Sequence, residues 1–161
     1  MTTGPDDAPF WERKRLEEMT DGEWESLCDG CGRCCLEKAK SDDSPDLYFL
    51  DVGCELLDPL TAGCSDYEHR LARVPGCFKL TPAHMPSIDW LPDTCGYTRV
   101  FQGRKLEWWH PLVSGDPSTV HSAHVSVRGK VKATDKQVGE GEWEDHVVRW
   151  PMRLPKAARR K

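Results

Sequence analysis

The sequence predicts an α+β fold: a small, loop-rich single domain with short helices around a few strands. Three observations lead there. The chain has 161 residues, a length that fits one domain. Its helix and strand signals are short and interrupted by Gly and Pro. Four of its eight cysteines lie within eight positions, Cys28-Asp29-Gly30-Cys31-Gly32-Arg33-Cys34-Cys35. Hydrophobic residues make up 38% and charged residues 30%, so the core is thin and a cross-linking ion on the cysteines would strengthen it. The expected layout is a flexible N-terminus over 1–9, a cysteine-cluster domain stapled by metal over 10–150, and a basic C-terminal tail over 151–161.

The elements follow in order. Phe10 to Met19 is charged and helix-favouring, with Phe10, Trp11, Leu16 and Met19 as apolar contacts. Thr20-Asp21-Gly22-Glu23 fits a capping box, in which the threonine accepts from the third backbone N–H and the glutamate reaches back. A short helix is expected from Asp21 into the first cysteines, burying Trp24 and Leu27. Residues 36–46 are polar and acidic and read as a loop. Leu47 to Leu57 reads as a strand, with a second short strand as an extension. Asp58-Pro59 ends it. Ser65 to Arg73 suits a short helix, and Pro75-Gly76 a turn that presents Cys77. Thr81-Pro82 marks a helix start, since Pro fits the first helical turn. Trp90 to Cys95 begins another short element. Trp108 to Val113 is apolar and precedes a turn at Ser114-Gly115-Asp116-Pro117. His124-Val125-Ser126-Val127-Arg128 alternates like a strand. Trp143 to Trp150 reads as a last helix or an irregular return to the core, and Lys156 to Lys161 as a solvated basic end.

The cysteine run carries the chemistry. Two-residue spacing lets one backbone turn aim several sulfurs at a point. Cys28-x-x-Cys31-Gly32 resembles a zinc or rubredoxin knuckle, where glycine permits the turn whose N–H groups donate to sulfur. Cys28-x-x-Cys31-x-x-Cys34 also matches the opening of a bacterial ferredoxin run, although Leu36 stands where that run ends in Cys-Pro. The glycines favour zinc and the repeated spacing favours an iron–sulfur cluster such as 4Fe-4S, so both metals stay open. Adjacent Cys34 and Cys35 point apart in most backbone conformations, and one arrangement sends them to different sites. Cys54, Cys64, Cys77 and Cys95 supply further sulfurs, enough for one or two sites. A four-sulfur zinc site is closed and tetrahedral, and its binding energy is folding energy. The bland alternative is that Cys54, Cys64, Cys77 and Cys95 are small buried hydrophobes.

Charge and length exclude other classes. The net charge of −5 argues against a nucleic-acid surface, and bound thiolates would lower it further. No segment approaches the ~20 apolar residues that span a bilayer. Met1 to Asp7 lacks the basic and apolar regions of a secretory signal. The expected setting is therefore the cytoplasm, where thiols stay reduced and cysteines read as metal ligands before disulfides. Four disulfides in an exported domain are the alternative, against which the adjacent Cys34 and Cys35 weigh. Among the histidines, His121-x-x-His124 would face opposite ways on a strand and is not read as a ligand pair. His110 reads as a buried, hydrogen-bonded ring, and the tryptophans as core. Asp66 and Glu68 read as surface charges or outer partners of Cys64. No nucleophile elbow, phosphate loop or paired-carboxylate motif stands out.

Together these residues resemble the YcgN branch of the YkgJ-type cysteine-cluster proteins, described as zinc- or iron-chelating domains. The resemblance rests on Trp24 to Gly32, Cys34-Cys35-Leu36, Cys64 to Glu68, Cys77 to Thr81, Trp90 to Cys95, Trp109 to Gly115 and Ser126-Val127-Arg128. It covers the chain from Pro9 to about His146. It implies metal chelation by Cys28, Cys31, Cys34, Cys35, Cys54, Cys64, Cys77 and Cys95 in a bacterial cell, without a defined reaction. Relatives commonly carry a cysteine two residues before Cys64, where this chain has Ala62. The expected function is a metal-binding accessory or interaction protein with an unidentified protein partner. An iron–sulfur redox protein or metal-dependent enzyme is the alternative, and metal trafficking a third.

Overall fold

A computed structural model describes residues 7–40, 42, 43, 46–75, 77 and 79–159. They belong to two compact units, each built from two stretches of chain: Met1–Asp29 with Leu80–Thr119, and Gly30–Lys79 with Val120–Lys161. The boundary between Asp29 and Gly30 falls inside the cysteine run. The expected flexible 1–9 segment lies mostly outside the described residues.

In the first unit, the helix expected over Phe10 to Met19 is two pieces. Helix α1 covers Phe10–Arg13 and a 3-10 turn covers Leu16–Glu18, with extended backbone at Lys14 and Arg15 between them. One continuous helix would spread Phe10, Trp11, Leu16 and Met19 around its circumference, whereas the break lets all four pack on one cluster. Helix α2 (Asp21–Glu25) begins with the predicted box. Thr20 Oγ1 accepts from the Glu23 N–H at 3.1 Å, and Glu23 Oε1 accepts from the Thr20 N–H at 3.0 Å. Trp24 and Leu27 are buried with Met85 and Leu91. The Trp24 indole N–H donates to the Leu80 carbonyl at 2.8 Å, which ties the two stretches of this unit together. Removing the cap in Thr20→Ala is expected to cost about 1 kcal/mol, with Thr20→Ser near wild type, measured by urea unfolding.

Further along this unit, Thr81-Pro82 opens a 3-10 helix over Pro82–Ser87, with proline in its first turn as predicted. The apolar Trp108–Val113 run turns into the short helix Pro111–Ser114, which closes on Gly115 at φ +75°. His110 caps that helix: its Nδ1 accepts from the Leu112 N–H at 3.1 Å.

The second unit holds a four-stranded sheet. Strand β2 (Leu47–Gly53) is central, and Phe49, Leu50 and Val52 on it are buried. Strand β1 (Leu36–Lys40) pairs with it antiparallel, with a bulge between Leu36 and Lys38. Residues 36–40 are thus a strand and not the expected loop. Glu, Lys and Ala favour strands weakly, but pairing along a buried partner overrides that preference. Leu36 is buried and the Lys38 ammonium lies 5.2 Å from the Phe49 ring centre. Strands β3 (Ala133–Thr134, parallel) and β4 (Val147–Val148, antiparallel) both pair with β2. The Trp143–Trp150 segment is the irregular return: a 3-10 helix over Glu140–His146 leads into β4, and His146 Nδ1 meets Asp51 Oδ1 at 2.6 Å.

His124 to Arg128 is not a strand. His124 has φ +59°, and Val125, Ser126 and Val127 are all buried, so the alternation does not separate an inner face from an outer one. The helix expected over Ser65 to Arg73 shrinks to Arg70–Arg73, and the Ser65 N–H bonds the Leu56 carbonyl instead. Gly76, in the turn expected to present Cys77, lies outside the described residues. Within the basic C-terminal stretch, Lys156 and Arg159 are exposed while Pro151 and Ala158 are buried. No helix among the described residues is long and apolar enough to cross a membrane.

Candidate metal centre

The cysteine run starts where α2 ends, with the Cys28 N–H donating to the Glu25 carbonyl at 3.2 Å. Gly30 and Gly32 then take the left-handed conformation, at φ +78° and +76°. A side chain at position 32 would also collide, because its Cβ would lie 2.6 Å from the Ala62 oxygen and 2.8 Å from Val127 Cγ2. Arg33–Cys35 form a 3-10 turn closed by the Cys35 N–H on the Gly32 carbonyl at 3.0 Å. This turn does what the knuckle spacing predicts: the Arg33 backbone N–H points at Cys31 Sγ, 3.5 Å away. Cys31 is buried, Cys35 half-buried and Cys34 exposed.

Two more cysteines of the second unit, Cys54 and Cys64, connect to this turn through backbone. The Cys54 N–H donates to the Cys35 carbonyl at 2.9 Å, and the Cys54 carbonyl accepts from Leu57 at 2.9 Å. Leu57 forms an antiparallel bridge with Cys64. Cys77, whose N–H bonds the Val74 carbonyl at 3.0 Å, lies near enough for its charge to act on Cys54. Burial pushes the Cys54 thiol up; a hydrogen bond from the Leu56 backbone opposes this, and Asp135, Glu37 and Cys77 add to the rise.

Cys28 and Cys95 belong to the first unit. Each is one residue from a close backbone contact: a Cβ on Gly96 would stand 1.9 Å from the Leu27 carbonyl oxygen. That same oxygen meets His110 Nε2 at 2.7 Å. Since Nδ1 of this ring accepts from Leu112, Nε2 carries the proton and donates. His110 is 2% exposed, the buried and bonded ring the sequence suggested.

All eight cysteines carry thiols and none is in a disulfide. The donor chemistry therefore suits zinc or iron: reduced sulfurs, an N–H aimed at sulfur, and glycines that permit the turn. Among the described residues, no three His, Cys, Asp or Glu side chains stand close enough to enclose an ion. The histidines serve other tasks. His84 Nδ1 accepts from the Thr81 N–H at 3.1 Å, His69 meets Asp66 at 2.9 Å, and His121 meets the buried Ser126 hydroxyl at 2.7 Å. Asp66 also accepts from Arg73 at 2.9 Å, which makes it a surface ion-pair residue. Ala62 puts a methyl into the apolar cluster of Leu36, Phe49, Leu57 and Val127.

Several residues near the turn escaped the sequence reading because they are charged yet buried. Arg33 is 3% exposed and Asp29 5%. Asp29 accepts from the Trp109 indole N–H at 3.1 Å. Lys38 donates to the Cys34 and Leu36 carbonyls at 3.0 and 2.8 Å; burial holds it below the usual lysine range, against the pull of Cys34, Cys35 and Glu37. Asp135, whose charge adds to the rise of the Cys54 thiol, has a buried Oδ1 with no hydrogen-bond partner among the described residues. The signal that was present is position: Asp29 and Arg33 lie inside the cysteine run itself.

Comparison with known proteins decides the family. A UPF0260 protein of Rhodopseudomonas palustris (strain HaA2) is 55% identical over 157 residues, 98% of this chain and 92% of the relative. This chain belongs to the UPF0260 family. UPF0260 proteins of Rhizobium leguminosarum bv. trifolii (54% identical, 91% of each chain) and Rhizobium meliloti (52% identical, 92% of this chain and 95% of the relative) agree. Residues 27–96 of the UPF0260 chain also match the CxxCxxCC family model, described as a "putative zinc- or iron-chelating domain". That span runs from Leu27 to Gly96, the pair in close backbone contact, and includes all eight cysteines. No solved structure matches.

Proposed function

We propose that this UPF0260 protein is a cytoplasmic metal-binding accessory protein whose eight cysteines hold zinc or iron and act on a protein partner. The observation that carries the reading is the turn at Gly32-Arg33, which directs a backbone N–H at the Cys31 sulfur as metal knuckles do. The family description of a chelating domain over residues 27–96 supports it. The net charge of −5 speaks against a nucleic-acid partner.

Six of the eight ligands fall into two groups in this reading. Cys35, Cys54, Cys64 and Cys77 form one, supported by the backbone bonds that link the first three and by the influence of Cys77 on Cys54. Cys28 and Cys95 belong to the other, supported by the Leu27–Gly96 contact between their neighbours. Because no three ligand side chains among the described residues now stand close enough to enclose an ion, binding would draw the four sulfurs of the Cys35 group together, and such an ion would supply folding energy rather than an open coordination position.

Anaerobic purification followed by metal analysis tests the proposal. Cys35→Ser and Cys54→Ser are expected to lose the same metal, so the double variant loses no more than either single one. Combining Cys28→Ser with Cys35→Ser is expected to lose more than either alone. Full metal content in Cys28→Ser, Cys34→Ser and Cys35→Ser would refute chelation by the run. The repeated two-residue spacing favours a second reading, an iron–sulfur redox protein. It requires brown protein that dithionite bleaches, whereas colourless protein holding zinc supports the first.

A further inference from the structure

We infer that Arg33 is a positioning residue of the metal centre, one that grips the Cys31 sulfur from inside the protein and compensates its negative charge. The inference rests on the metal-binding reading above and assigns a task to a residue that is not itself a ligand.

The geometry begins with burial. Arg33 is 3% exposed and Cys31 8%. A guanidinium does not shed its proton at physiological pH, so once removed from water it must be met by acceptors. Two are in place. The Arg33 Nε–H donates to Cys31 Sγ at 3.2 Å, and the Nη1–H donates to the Pro151 carbonyl at 3.0 Å. Pro151 is itself buried and comes from 118 positions later in the chain. Its carbonyl fixes one end of the planar fork and so sets the direction of the Nε–H at the other.

The Cys31 sulfur thus faces two donors from one residue, the backbone N–H and the Nε–H. A thiol is a weak acceptor, while a thiolate, free or on a metal, is a strong one. Two N–H bonds and a full positive charge favour the anionic sulfur that a metal needs. They also hold it in one direction, as outer partners orient metal ligands generally. The surrounding charge agrees. Lys130 is held below the ordinary lysine range first by burial and then by the Arg33 charge, so two cations share this corner. Lys130 stacks on the Trp150 ring at 4.6 Å and donates to the His124 carbonyl at 2.6 Å, which keeps it there. An anionic sulfur–metal centre offsets that repulsion.

The test uses the full chain, reduced and anaerobic, loaded with cobalt(II) as a coloured stand-in for zinc. Arg33→Met is expected to weaken cobalt binding about tenfold or more in chelator competition, the scale seen for outer partners of metal ligands. It is also expected to shift the sulfur-to-cobalt charge-transfer band. Arg33→Lys restores the charge without the fork, so part of the affinity returns while the band stays displaced. Wild-type affinity and an unmoved band in Arg33→Met would overturn the inference. So would a lower melting temperature with an unmoved band in the loaded fraction, since packing alone explains that.

If the variants do not fold, cadmium-113 NMR on wild-type protein decides. A correlation from the Arg33 Nε–H through sulfur to cadmium is expected. Its absence, with the cysteine correlations present, refutes the role. Wild-type protein that takes up neither metal refutes the metal-binding proposal, and this inference falls with it.

Discussion

Stripping the metal from anaerobically purified protein with a chelator is expected to lower its melting temperature by roughly 20 °C or more, and zinc or iron is expected to restore it. The size follows from how little else holds the chain. Among the described residues its α-helices are four to six residues long and its 3-10 helices three to seven, well below the length at which a helix persists alone. Two of the four strands among the described residues have two residues each. Among the described residues nineteen apolar side chains are buried, a thin core for a chain of 161. Stability of a domain this size is about 5–15 kcal/mol, and a structural zinc ion contributes on the order of 10 kcal/mol or more. The thiols must stay reduced throughout, because oxidation would replace one cross-link by another. Circular dichroism with metal analysis on the same sample gives the result. Stripped, reduced protein that melts within a few degrees of the loaded form would show that the sulfurs do not staple the fold.

What could be read from the residues alone divides by distance along the chain. The Thr20–Glu23 box was legible because both hydrogen bonds close within four residues and need only side-chain types that the sequence displays. The turn at Gly32 was legible for the same reason, since glycine takes φ +76° without steric cost. Strand β1 was not. Nothing in Leu36 to Lys40 demands extended backbone until β2 lies alongside, and its Glu and Lys argued for a loop. His124 to Arg128 misled in the opposite sense. Its alternation is real, but the Val127 N–H bonds the Cys31 carbonyl, and no strand among the described residues pairs with it. The candidate ligands were recognisable by type and spacing. Their grouping was not, because it depends on the bonds from Cys35 to Cys54 and from Leu57 to Cys64. Arg33 was the least legible of all: its role needs the Pro151 carbonyl, and no local pattern announces a partner that remote.

Gly96→Ala is expected to destabilise the first unit by about 4 kcal/mol, combining an overpacking cost with an orphaned buried hydrogen bond. The added methyl would stand 1.9 Å from the Leu27 carbonyl oxygen and 3.0 Å from His110 Nε2. The Leu27 oxygen cannot yield toward His110, which already donates to it at 2.7 Å from a ring that is itself 2% exposed. Moving Leu27 would disturb a fully buried side chain in the Trp24–Met85–Leu91 cluster. Moving the helix Gly96–Phe101 would displace Tyr97, whose ring sits 4.6 Å from Trp24. Every relief route therefore breaks a second contact. Gly22→Ala is the matched control: it lies in α2 with nothing within 4 Å of the new methyl, so better helix propensity should leave stability unchanged or slightly raised. Urea unfolding of the two variants separates the cases, and equal midpoints would mean that residues 27 and 96 are not in contact. Because Cys28 and Cys95 adjoin that contact, the wedge in Gly96→Ala should also spread the two sulfurs. Loss of the metal fraction that Cys28→Ser loses, with the Cys35 and Cys54 fraction retained, is the expected pattern in metal analysis.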